Sequence, residues 1–89
     1  MPDNEETKST IVKSFTDLVE RLNSDYTILK NINVYGMAVD STDLLSLGLF
    51  KKGTLKTYIC VKNDSVEILY QRISKLVLTV VQEVTHEVI

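Results

Sequence analysis

The chemistry-bearing side chains of this 89-residue chain are few, with one histidine, His86, and one cysteine, Cys60. A nucleophilic triad needs a base within hydrogen-bond reach of a serine or cysteine, and a third group to orient that base. His86 falls in the final turn of the chain, where nothing orients it. With Glu83 it could offer a metal two ligands at helical spacing, but zinc takes three or four, and Cys60 belongs to a different element. A solvated terminal histidine is the simpler reading, and no metal site is expected.

Two further constellations fail on their own residues. The run Gly48-Leu49-Phe50-Lys51-Lys52-Gly53-Thr54 resembles the opening of a phosphate-binding loop. Thr54, however, follows Gly53 where that motif demands lysine and then serine or threonine. The run also joins two apolar stretches read as strands, so no helix N-terminus follows to receive a phosphate. Asp40 and Asp43 could divide acid and base work if burial separated their pKa values. Aspartate beside serine is equally explained by side chains that hydrogen-bond their own backbone in a turn. No catalytic residue and no cofactor is expected, and the chain reads as a non-enzyme.

The elements that would carry these residues follow from periodicity. Ile11, Phe15, Leu18, Val19 and Leu22 recur at helical spacing and predict a first helix from Thr10 to near Asn23-Ser24-Asp25. Asn4 followed by Glu5 and Glu6 is an alternative start, with acids suited to the helix dipole. Tyr26 to Leu29 and Ile32 to Val39 read as one interrupted strand. Leu44 to Phe50 and Leu55 to Val61 read as a hairpin in which Gly53 supplies a positive φ. A competing reading makes residues 41–47 a short helix capped by Ser41. Asp64, with Glu67 three residues later, reads as the capping box of a second helix. Val66, Leu69, Tyr70, Ile73, Leu76, Val77, Val80, Val81 and Val84 give that helix its core-facing stripe.

The fold expected from this order is α+β, a two-layer sandwich of helix-strand-strand-strand-helix with an antiparallel sheet. Residues 1–89 form a single domain in this reading, with 1–6 expected to fray. The order is similar to that of the small RNA-binding subunits of the signal recognition particle and of compact phage inhibitors of host nucleases. That likeness is one of frame alone, because no motif in the chain carries it further.

Strand alternation then sorts the sheet into two faces. Ile32, Val34 and Ala38, Leu45, Leu47 and Leu49, and Leu55, Ile59 and Val61 share the parity expected beneath the helices. The opposite parity collects Tyr35, Met37, Val39, Leu44, Phe50, Tyr58 and Cys60, among polar Asn31, Asn33, Ser46, Lys56 and Lys62. A face that apolar points to a protein interface, since aromatic residues and methionine are enriched at such surfaces. Two alternatives leave the face without a partner: a segment of the chain folds over it, or a bulge shifts the register by one.

Partner classes narrow with charge. A formal net charge of −2 argues against a general polyanion binder, which carries a basic excess. Lys51, Lys52, Lys56 and Lys62 nevertheless cluster near Tyr58, so an RNA- or DNA-binding sheet is the alternative reading. The first expectation is a regulator, adaptor or inhibitor that contacts a protein partner or itself as a homodimer. With one cysteine, no secretory pattern in the first residues and no apolar run long enough to span a bilayer, a cytoplasmic protein without membrane contact is expected.

Overall fold

The computed structural model describes residues 4–32, 44–62 and 65–88. Its first helix, α1, spans Asn4–Leu22, the earlier of the two candidate starts, with Glu5 and Glu6 in the first turn and Arg21 in the last. Those charges oppose the partial charges of the helix ends, which favours the longer helix. Glu5 and Glu6 are thus helical although they lie in the stretch expected to fray.

The chain turns through Asn23, whose side-chain oxygen accepts the Asp25 N–H at 2.9 Å, and enters strand β1, Tyr26–Lys30. Strand β1 is shorter than the interrupted strand read from the sequence. It ends at Asn31, which adopts the left-handed region at φ 60°. Asparagine tolerates that conformation better than most residues. The continuation of that strand over 33–39, together with Tyr35, Met37, Val39, Val34 and Ala38, lies outside the described residues.

Strands β2, Leu44–Lys51, and β3, Thr54–Lys62, form the hairpin. Residues 44–47 are therefore strand rather than helix. The loop is Lys52-Gly53, with φ of 52° and 82°, the double left-handed geometry of a type I′ turn. Gly53 suits it, whereas Lys52 holds the same geometry with a Cβ. The sheet order is β1-β2-β3, antiparallel throughout.

Helix α2 runs Val66–Val88. Its cap sits one residue later than the sequence reading: Ser65 Oγ accepts the Ile68 N–H at 3.3 Å, and the Ser65 carbonyl accepts the first helical bond, from Leu69. Ser65 is thus the N-cap and Ile68, not Glu67, occupies the third helical position; Asp64 lies outside the described residues. Both helices run in the same direction, with Phe15, past the middle of α1, edge-on to Tyr70 in the first turns of α2.

The two helices cover one face of the sheet. Val12 and Val19 of α1 meet Leu69, Ile73, Leu76 and Val80 of α2, over Tyr26, Ile28, Leu45, Leu47, Leu49 and Val61. At a coefficient of about 25 cal/mol per Å² of apolar surface, each fully buried leucine or isoleucine in this cluster contributes roughly 1.5 to 3 kcal/mol. The chain is therefore a two-layer α+β fold in the expected order.

Candidate functional site

One irregularity decides what the opposite face carries. Between Leu49 and Phe50 the pairing with β3 shifts, so that Leu49 faces Thr57 and Phe50 faces Leu55. Lys56 is the extra residue of this β-bulge, and parity reverses across it. Leu55, expected beneath the helices, is instead on the outer face and 40% exposed. Lys56, expected on the outer face, turns toward the helices, where its Nζ lies 3.7 Å from Glu83.

A second correction concerns Ile32. A Cβ built on Gly48 would meet Ile32 Cδ1 at 2.7 Å, Phe50 Cε1 at 2.9 Å and Leu55 Cδ1 at 3.0 Å. These three side chains close over Gly48 on the outer side, so Ile32 belongs there and not to the core. The left-handed Asn31 turns the chain that way, held by Asn31 N–H to the Ser46 carbonyl at 2.7 Å and Ser46 Oγ to the Ile32 carbonyl at 2.9 Å.

Around this centre stand Leu29 and Tyr58, in register with Gly48 on its two sides and 48% and 45% exposed. Leu44 lies at one end and Cys60 is half-buried between, its thiol pKa raised by burial. Leu29 escaped the sequence reading because β1 carries too few alternating residues to fix its parity. Among the described residues the strands place one charge on this face, Lys62, at the corner paired with Leu44. No described element covers the face.

The free edges of the sheet are each met by a helix side chain. The register points the Cys60 carbonyl out of β3, and Arg72 Nη1 donates to it at 3.0 Å. On β1 the Ile28 carbonyl points outward, with Thr16 Oγ1 at 3.5 Å. Capped carbonyls and a bulge are how natural sheets discourage edge-on pairing.

The lysines of the nucleic-acid reading go elsewhere. Lys51 is on the helix side, bonded to Glu87 at 2.8 Å, with its ammonium 5.4 Å from the Tyr26 ring centre. Lys52 is at the hairpin tip, 3.9 Å from Asp25. Lys51, Lys56, Gln82, Glu83, His86 and Glu87 line an open cleft of about 490 Å³ at the C-terminal end of α2. Of these, Glu83 accepts a hydrogen bond from the phenol of the fully buried Tyr26 at 2.5 Å.

Burial, and then that hydrogen bond, raise the Tyr26 pKa. The same bond, with the charges of Lys56 and Lys51, lowers that of Glu83. Sequence reasoning missed this network, since only the fold brings residues 26, 51, 56 and 83 together. Its cations are paired within the chain, and the phenol is satisfied, so the arrangement anchors α2 to the hairpin instead of presenting unmet chemistry. Among the described residues no group of side chains has metal-ligand geometry, and no helix is long and apolar enough to cross a membrane. Asp40 and Asp43 lie outside the described residues.

Comparison with protein-family models, curated proteins and solved structures finds no match to this chain.

Proposed function

We propose that the chain is a small, non-catalytic protein-interaction module of the cytoplasm, acting as a regulator, adaptor or inhibitor, and that its outer sheet face receives a protein partner. The observation that carries this reading is the composition of that face. Leu29, Leu44, Leu55 and Tyr58 are exposed around half-buried Phe50, Ile32 and Cys60, with Lys62 as the one strand charge among the described residues. Contiguous apolar surface of this kind costs solubility unless something covers it, and exposed aromatic residues supply large contact area at low entropic cost.

The same placement weakens support for nucleic acid. Backbone phosphates are held by cations, about one per contact. Lys51 and Lys56 are committed to Glu87 and Glu83 on the other side of the sheet from Tyr58. The test is a stoichiometric complex isolated from the native source, with itself or another protein. Leu29→Lys and Tyr58→Lys are expected to abolish it, while Leu78→Lys, at an exposed helix position, leaves it intact. A complex that survives both sheet substitutions contradicts the reading.

A further inference from the structure

We infer that the occupant of the outer face is a second copy of this chain, packed sheet against sheet about a two-fold axis. The inference rests on the reading of that face as a protein-contact surface. It is carried by charge, by area and by the state of the sheet edges.

Charge comes first. In an isologous pair the same patch meets itself, so charges near the axis face their own kind and repel. From Leu29 across Gly48 to Tyr58, and from Phe50 to Cys60, the strands place no charged side chain; Lys62 lies at the corner, away from the centre. Among the described residues the register keeps the middle of this face clear of charged side chains. A strongly acidic or basic partner finds nothing there to pair with, whereas a second copy brings an equally uncharged surface.

Area sets the strength. Strands of five, eight and nine residues are about 17, 26 and 30 Å long, and at a spacing of about 4.8 Å they give a flat face of roughly 350 Å². A standard stable interface buries about 800 Å² of accessible surface on each partner. Even allowing for side-chain relief, the pair is small beside a standard interface, so a weak, concentration-dependent dimer is expected. The capped Cys60 and Ile28 carbonyls disfavour the competing assembly, in which β3 or β1 of two copies would join into one continuous sheet.

Sedimentation equilibrium of the full chain, from low micromolar to near-millimolar concentration, tests this. The expected result is a monomer that becomes a dimer, with at least tenfold weaker association in Leu29→Lys and in Tyr58→Lys and no change in Leu78→Lys. Circular dichroism of the dilute variants confirms that each remains folded, since all three sites are exposed. A dimer indifferent to both sheet substitutions overturns the inference. A monomer at every concentration also overturns it, and a soluble gadolinium probe then separates the causes. If the probe relaxes the Leu29 and Leu55 methyl signals strongly, the face is open and a different protein partner remains the reading. If another part of the chain shields those methyls, the interaction reading falls as well.

Discussion

Leu47 and Leu29 are both leucines of one three-stranded sheet, yet Leu47 is fully buried under the helices while Leu29 is 48% exposed on the other side. The difference is not hydrophobicity, since both faces are apolar. It lies in what the chain supplies to cover each. The inner face receives two amphipathic helices and, at one end, a polar network in which each cation has its acid. The outer face receives three side chains over Gly48 and, among the described residues, little else. A surface that apolar, covered by no described element, is evidence about partners, whereas the same composition beneath helices is evidence only about folding.

The comparison breaks most visibly on truncation. Leu47→Ala is expected to cost about 2 to 5 kcal/mol, because it removes buried contacts and leaves a cavity. Leu29→Ala, measured by urea unfolding of the dilute chain, is expected to stay within about 0.5 kcal/mol, as for surface changes generally. Equal losses at the two sites would mean that the outer face is as covered as the inner one.

A smaller effect is expected at the polar end of the inner face. Tyr26→Phe deletes the phenol that donates to Glu83 and is expected to cost about 1 to 2 kcal/mol. The sign with pH follows from the direction of each shift. Glu83 is held below its ordinary value, so its contribution is complete above the unfolded carboxylate value of about 4.3 and is lost as pH falls through the folded one. Tyr26 is held above its ordinary value of 10.0, so its contribution is complete below that and is lost in more alkaline solution. Acid titration of stability in Glu83→Gln is expected to show a shallower decline than in the parent chain.

The smallest change sits at the hairpin tip joining the two outer-face strands. Lys52 holds φ 52° with a side chain that disfavours it. Lys52→Asn is expected to raise the thermal midpoint, with a gain of up to about 1 kcal/mol, because asparagine before glycine suits the type I′ turn. A lower midpoint would contradict the turn geometry.

Much of this architecture is legible in the residues. Both helices, the hairpin at Gly53 and the element order are written in periodicity and turn chemistry, although Tyr70 and Val81, placed on the core-facing stripe of α2, are exposed; Leu44, Phe50, Tyr58 and Cys60 are on the outer face as parity requires. The departures in the sheet share one cause, which is that alternation carries no mark of where it slips. The bulge at Lys56 exchanged the sides of Leu55 and Lys56, and the left-handed Asn31 carried Ile32 to the outer face. Neither has a residue signature strong enough to locate it beforehand. The Tyr26, Lys51, Lys56 and Glu83 network was illegible for a different reason, since its members are distant in sequence and meet only once β3 and α2 are in place.

The most direct test of the outer face as a surface of self-contact between two copies is the relaxation of methyl signals by a soluble gadolinium probe as the chain is concentrated. The account predicts strong relaxation of Leu29 and Leu55 at dilution that weakens steadily with concentration, while Leu78, exposed on α2, is relaxed equally throughout. Relaxation of Leu29 and Leu55 that does not change with concentration, in parallel with Leu78, would contradict it.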